Sequence, residues 1–320
     1  MKTAIIGLGV IGTVHMQVLS EMKRSVAAVC DVNTEKFSSY PSIKAYTDYK
    51  QMIDEEKPDV VHICTPHYLH AEMVIYALER GINVLCEKPL CISREEIEKI
   101  LEAERNSTAQ LGVVLQNRYN PANEFVKQYL GEEKAVNGYA TMVWKRDAKY
   151  YAQADWRGKK KTEGGGVLIN QALHTLDLLE WFCGEPDYAT ATISNLTLKE
   201  AIEVEDTASV LYTGNANFSF FATNGSKADY DPEITLYTKD GSIRIVSNYV
   251  LVNGELKNFE SMTRVYGKGC YGTGHGLLFQ HFYDCLETGT KFPIDGKEGS
   301  KVIKLILSAY ESGGEKVEIE

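Results

Sequence analysis

The stretch Gly7-Leu8-Gly9-Val10-Ile11-Gly12 decides the fold. It follows an apolar run, residues 3–7, and opens an amphipathic one, so it reads as the turn from a first strand into a first helix. A second apolar run, residues 25–30, comes next. Asp31 ends it about 20 residues beyond the last glycine, the spacing of a dinucleotide-binding fingerprint. The glycines differ in what they permit. Gly7 allows a tight turn, Gly9 lets backbone N–H groups approach a pyrophosphate, and Gly12 lets helix and sheet pack closely. Val10 and Ile11 begin the helix, whose N-terminus adds partial positive charge. Asp31 suits hydrogen bonds to the adenosine ribose hydroxyls and repels a 2′-phosphate. NAD is therefore expected ahead of NADP, as a preference only, since Lys36 could still reach a phosphate.

The same rhythm continues through the first third. Residues 60–64, 82–86 and 111–115 read as further strands, and residues 73–80 as a helix with Val74, Ala77 and Leu78 on one face and Gly81 closing it. Strands of near-continuous apolar content alternating with helices predict a doubly wound parallel sheet over residues 1–118. After Asn120-Pro121 the pattern changes. A long helix is expected over residues 167–182. Strands follow at 190–196, 207–212, 218–223, 234–237 and 243–246, then helices at 275–286 and 299–310. Short turns such as Thr213-Gly214-Asn215 predict an antiparallel or mixed sheet in a second domain, residues 119–320.

Composition narrows the function classes. The 320 residues carry 34 Lys+Arg against 44 Asp+Glu, a formal net charge of −10. No basic block offsets that balance, which argues against a nucleic-acid partner. No apolar run approaches the roughly 20 residues of a membrane span, and no small-residue cleavage site follows the apolar N-terminus. The seven cysteines (Cys30, Cys64, Cys86, Cys91, Cys183, Cys270 and Cys285) lack C-x-x-C spacing and sit mostly in apolar runs. Reduced core thiols in a cytoplasmic protein are expected, without disulfides or a metal centre.

Three further segments carry chemistry. Cys64-Thr65-Pro66-His67-Tyr68-Leu69-His70 lies where a strand's carboxyl end meets a helix, the ligand-binding edge of such sheets. Thr65, Pro66 and His67 are candidate cofactor contacts; His70 reads equally as a cofactor contact or a structural histidine. Glu87-Lys88-Pro89 follows the next strand, so both charged residues are placed toward a nicotinamide. An ordinary lysine titrates near about 10.4, and partial burial beside a cationic ring would lower it toward a useful range. The third segment, Gly164 to Asp177, puts Asn170, His174 and Asp177 at helical spacing on one face. An amide is a poor metal ligand and no Cys or second His accompanies it, so no metal is expected there.

These segments together (G-L-G-V-I-G, C-T-P-H-x-x-H, C-E-K-P-L, the arginine of Q-N-R-Y-N-P at Arg118, and G-G-G-V-L-I-N-Q-A-L-H-T-L-D) resemble the Gfo/Idh/MocA family. These are the glucose–fructose oxidoreductase and inositol dehydrogenase relatives. The likeness spans nearly the whole chain. It implies a Rossmann domain followed by an α+β domain with a large, mostly antiparallel open sheet. It also implies hydride transfer between NAD(P) and a secondary hydroxyl of a sugar, sugar derivative or cyclitol. By matched position, Lys88 resembles the catalytic lysine, and His174 the histidine that contacts the reacting hydroxyl. Asn170 stands where many relatives have aspartate. An amide cannot hold a proton, so the base narrows to Lys88 or His174. Trp156-Arg157 matches a pair near nicotinamide and substrate, and Gln116 and Tyr283 fall at cofactor positions. The loops around residues 150–161, with Tyr151 and Arg157, are expected to touch substrate together with Asn170 and Asp177. Lys159, Lys160 and Lys161 are expected in solvent.

Two other readings share the sequence: a net non-redox sugar enzyme that oxidises its substrate transiently, and a catalytically silent NAD-binding regulator. Retention of Lys88 and His174 argues against silence. In residues 218–223, Phe218, Phe220 and Ala222 alternate with Ser219, Phe221 and Thr223, so large apolar groups mark both faces. A homodimer or homotetramer through the open sheet face is expected.

Overall fold

The structure is a computed structural model that describes residues 1–260, Tyr266 and residues 273–320. It divides into two compact units: residues 1–116 with the segment ending at Ser300, and residues from 117 onward with Lys301–Glu320. Assigning all of residues 119–320 to one domain is therefore corrected, because residues 273–300 pack with the first unit. Cys270 lies outside the described residues; the other six cysteines are buried and unbridged. Among the described residues no helix is long and apolar enough to cross a membrane.

The first unit is built from β1 (Thr3–Ile6), α1 (Val10–Glu21), β2 (Val26–Cys30), β3 (Lys44–Tyr46), α2 (Tyr49–Glu56), β4 (Val60–Ile63), α3 (His70–Leu78), β5 (Asn83–Cys86), α4 (Arg94–Asn106) and β6 (Leu111–Val113). Its sheet runs β3-β2-β1-β4-β5-β6, with every pair parallel. Every residue of β1 and β4 is buried, as covering both faces of a parallel sheet requires. Chain order reverses between β1 and β4. Their carboxyl ends, at Gly7 and Cys64, thus border the crevice where such sheets bind ligands.

The second unit contains α5 (Pro121–Leu130), β7 (Asn137–Val143), α6 (Ala148–Tyr151), α7 (Lys160–Glu163), α8 (Leu173–Cys183), β8 (Tyr188–Ser194), β9 (Thr207–Thr213), β10 (Phe218–Thr223), β11 (Glu233–Thr238), β12 (Gly241–Val246), β13 (Tyr249–Val252) and β14 (Glu255–Asn258). After it, α9 (Gly274–Thr288) returns to the first unit. Then α10 (Gly296–Ser312) leads to β15 (Val317–Glu318), an edge strand beside β8. The nine strands run β14-β13-β12-β11-β7-β10-β9-β8-β15, antiparallel throughout except for β7 with β10. Alternation along β10 buries Phe218, Phe220 and Ala222 and turns Ser219 and Phe221 outward. The registers place Tyr139 and Leu211 level with Ser219, so the outward face carries Tyr139, Leu211, Phe221 and Tyr237, each at least 37% exposed.

The helix expected over 167–182 begins later, at Leu173. Glu205 explains the delay. Its carboxylate accepts the N–H groups of Gly166 (2.8 Å) and Leu168 (3.0 Å), drawing the chain into turns before the helix starts. A Cβ on Gly166 would collide with the Glu205 carbonyl, and one on Gly165 with the Tyr310 hydroxyl. Only glycines fit that turn.

Candidate active site

At the carboxyl end of β1, Gly7 adopts φ +94°, and a Cβ there would stand 2.6 Å from the Cys64 carbonyl oxygen. A Cβ on Gly12 would strike the Gly7 carbonyl, whereas one on Gly9 would meet nothing within 4 Å. Gly7 and Gly12 thus close the turn against the sheet, and Gly9 leaves its outer side open for a phosphate to approach. Gly9 is also the N-cap of α1 and supplies no side-chain acceptor, so the first N–H groups of α1, at Val10 and Ile11, are left for a ligand.

Asp31 closes this cradle. One oxygen accepts the Leu8 N–H (2.7 Å) and the Lys36 ammonium (2.8 Å); the other accepts the Asn33 N–H (2.9 Å). Burial alone would raise its carboxyl, but the hydrogen bonds from Lys36, Asn33 and Leu8 hold it below the usual carboxylate range. Lys36, expected as a reach toward phosphate, is paired with Asp31 instead.

The loops after β4 and β5 are tied by His70, which corrects its reading as a cofactor contact. The ring is fully buried, with Nδ1 2.7 Å from the Pro89 carbonyl and Nε2 2.8 Å from that of Thr65. It fixes the Thr65-Pro66 loop against the Lys88-Pro89 loop, and both ring nitrogens are used in doing so. The Thr65 hydroxyl points to Met73 Sδ (3.4 Å), and His67 is buried beside His70. Lys88 stays half-buried, and its N–H donates to Glu87 Oε2 at 3.2 Å.

Glu87 and Tyr283 are core residues, not cofactor contacts. Glu87 is 4% exposed and its Oε1 accepts from His15 Nε2 at 3.0 Å. Burial would raise the Glu87 carboxyl, but the hydrogen bond from His15 and the His275 ring 3.8 Å away bring it far below its ordinary value. Tyr283, on α9, is fully enclosed, with Thr3 Oγ1 at 3.0 Å and His62 Nε2 at 2.9 Å from its hydroxyl. Gln116 is buried as well.

In the second unit, burial sorts the polar residues around α8. Across residues 165–180 only Asn170 and His174 are not buried. Asp177, expected on the same face, is fully enclosed: Arg118 Nε and Nη2 donate to its two oxygens at 2.9 and 2.7 Å, with Glu180 3.7 Å from the same guanidinium. Its role as a substrate contact is corrected to that of an ion-pair partner. Tyr151 is corrected likewise. It packs with Leu198, Ile202 and Val204, and its hydroxyl accepts from Asn224 Nδ2 at 3.0 Å. Arg157 is half-buried, stacked 4.4 Å over Tyr150, and donates to the Tyr150 carbonyl and Gln153 (3.2 Å each). Lys159, Lys160 and Lys161 are exposed, and Trp156 is half-buried.

Two acidic residues enter that sequence reasoning missed. Glu163 is fully buried and accepts the Gly158 N–H and the Asn170 Nδ2 amide. A carboxylate accepts but cannot donate, so this bond fixes the amide's orientation and makes Oδ1 the acceptor end of Asn170. Its position directly before the triple glycine was a usable signal. Burial pushes the Glu205 carboxyl up to about 7 against the opposing donors of Leu168, Gly166 and Tyr310. Its partners lie far along the chain, so no local pattern marks it.

The cradle at the β1–β4 switch point, with an acidic residue closing β2, defines a dinucleotide-binding domain of the Rossmann class. Residues 1–115 match the oxidoreductase family with an NAD-binding Rossmann fold, and residues 126–244 match the GFO/IDH/MocA C-terminal domain. The chain belongs to the Gfo/Idh/MocA oxidoreductase family. It is 32% identical over 154 residues to levoglucosan dehydrogenase of Pseudarthrobacter phenanthrenivorans, covering 46% of this chain and 39% of that one. It is 29% identical over 197 residues to D-glucoside 3-dehydrogenase of Escherichia coli, covering 58% and 55%. The WlbA dehydrogenase of Chromobacterium violaceum, crystallised with NADH and UDP-GlcNAcA, superposes with a TM-score of 0.88 at 25% identity, covering 100% of this chain and 96% of that one.

Proposed function

We propose that the chain is an NAD-dependent dehydrogenase acting on a secondary hydroxyl of a sugar, sugar derivative or cyclitol. The carrying observation is selective accessibility: Asn170 and His174 alone keep contact with the surface in a buried run of sixteen residues, 165–180. The sugar dehydrogenases named above support the substrate class. Gly7, Gly9, Val10, Ile11, Gly12 and Asp31 would hold NAD, which when bound supplies the two-electron redox chemistry. Lys88 Nζ takes the proton of the reacting hydroxyl. In the second unit, His174 and Asn170 Oδ1 are hydroxyl-binding groups and Arg157 a further substrate contact. Buried reduced thiols favour a cytoplasmic location. A panel of sugars, sugar acids, cyclitols and nucleotide sugars, followed by NADH absorbance, tests the reading; no NADH from any of them sinks it.

Cofactor choice follows from Asp31. NAD should bind at least about tenfold tighter than NADP, roughly 1.4 kcal/mol, by calorimetric titration. Equal affinities would remove Asp31 from the ribose.

The Glu163–Asn170 pair gives a sharper test. Asn170→Asp sets two carboxylates within hydrogen-bond reach, where both cannot stay ionised, and Glu163→Gln frees the amide orientation. Each change should lower kcat/KM at least about tenfold. The double variant restores one carboxylate and one amide, so its kcat/KM should recover to within about threefold of wild type. A double variant no better than the worse single one would refute the pairing.

The outward sheet face, with Tyr139, Leu211, Phe221 and Tyr237, is proposed as the surface of a homodimer or homotetramer. Light scattering at micromolar concentration should give a multiple of the 35.8 kDa chain mass; a monomer overturns it.

A further inference from the structure

Behind the β5 loop lies a line of buried polar groups for which the reaction above has no use. Glu87 Oε1 faces His15 Nε2 at 3.0 Å, and His15 Nδ1 faces His62 Nδ1 at 2.9 Å. His62 Nε2 faces the Tyr283 hydroxyl at 2.9 Å, which faces Thr3 Oγ1 at 3.0 Å. His15, His62, Tyr283 and Thr3 are all fully buried. The Phe279 ring lies 4.6 Å from His15 and 5.1 Å from His62, an apolar wall along the line.

The chemistry of the end group sets the direction of every bond. A carboxylate only accepts, so His15 donates from Nε2. A neutral ring then accepts at Nδ1, which makes His62 the donor at its own Nδ1 and the acceptor at Nε2. Tyr283 donates to His62, and Thr3 donates to Tyr283. Four groups thus align their donors toward Glu87, and such chains strengthen link by link in a low-dielectric interior. Burial lowers both histidines, outweighing for His15 the bond its Nε2 donates to Glu87, which agrees with neutral rings. Among the described residues, the charged and titratable groups facing Glu87 are His15, His62, His70, His275, Cys64, Cys86 and Lys88. Because the line ends on a buried threonine, it has no outlet to carry protons to solvent.

We propose that Tyr283, His62 and His15 form a one-way hydrogen-bond chain that holds Glu87 in place, and that Glu87 in turn positions the Lys88 backbone through its N–H. These are positioning residues. Their catalytic consequence rests on the reading of Lys88 given above; the chain itself does not.

The test uses the full-length protein with 15N-labelled histidine, its seven rings assigned by single substitutions. Two-bond 1H–15N spectra should show His15 protonated at Nε2 and His62 at Nδ1, both neutral from pH 6 to 8. The opposite tautomers, or an imidazolium at His15 in that range, overturn the chain. In Glu87→Gln the neutral amide can either accept or donate, so the end group no longer fixes the direction: both rings should show mixed tautomers, and hydrogen exchange at the Lys88 N–H should rise at least about tenfold. Unchanged exchange there overturns the positioning role. If Glu87→Gln does not fold, Tyr283→Phe removes only the O–H that donates to His62. The His62 Nε2 resonance should then move most, His15 less, and Lys88 exchange least but measurably; a shift confined to His62 refutes the relay. None of these readouts needs a substrate. Failure of the sugar panel therefore counts against the dehydrogenase reading alone.

Discussion

Replacing Lys88 by Met lowers kcat by about 10²–10⁴ on the sugar or cyclitol that yields NADH, the range for removing a positioned acid–base group. Methionine keeps most of the length and apolar stem of the lysine and deletes only the amine. The loop itself should survive, since His70 holds the Pro89 carbonyl and Glu87 the Lys88 N–H, contacts made to the backbone at this position. NAD affinity, measured by calorimetry, should therefore change less than about threefold, which separates a lost proton transfer from a lost cofactor site. His174→Ala should act in the same direction. Its partner in accessibility, Asn170, should act through orientation, raising KM along with its effect on kcat. Near wild-type turnover in Lys88→Met would refute the proton-transfer role.

Strands whose two faces are both covered are legible because burial writes itself as unbroken apolar sequence. β1, β4 and β5 are readable this way, and the glycines between β1 and α1 fix their use. β3 escapes, since two of its three residues are exposed, and β14 escapes because all four are. β7 (Asn137–Val143) sits at the middle of the large sheet yet alternates with Gly138 and Thr141, a weak signal. The return of α9 to the first unit has no local mark, for an amphipathic helix does not reveal which surface it covers. The same limit explains the residues misplaced within the site. Asp177, Tyr151, Glu87, Tyr283 and His70 read as ligand contacts because polar groups near a motif invite that reading. Each is instead satisfied by a partner distant in sequence, such as Arg118 for Asp177 or His62 for Tyr283. Periodicity places Asn170 and His174 correctly near α8 but cannot foresee that Glu205 unwinds the turn between them and the glycines.

The largest structural effect should come from Arg118. Its guanidinium grips both oxygens of Asp177 on α8 and stands 5.3 Å from the Trp181 ring one turn further on. Arg118→Met would leave Asp177, fully buried, without its counter-ion. Stranding one member of a buried pair costs about 3–5 kcal/mol. For a chain of this size that corresponds to a fall in Tm on the order of 10 °C, readable by calorimetry of the whole protein. The companion variant separates charge from packing. Adding Asp177→Leu to Arg118→Met removes the stranded carboxylate and should recover more than half of the loss, although Glu180, 3.7 Å from the guanidinium, still loses its cation. The pair also matters for the site, because His174 lies one turn before Asp177 on the same helix. If the fork serves to seat α8, the surviving activity of the double variant should exceed that of Arg118→Met at the same temperature. If instead Arg118→Met melts within a degree or two of wild type while losing activity, the ion pair does not stabilise α8 and Asp177 and Arg118 act on substrate directly.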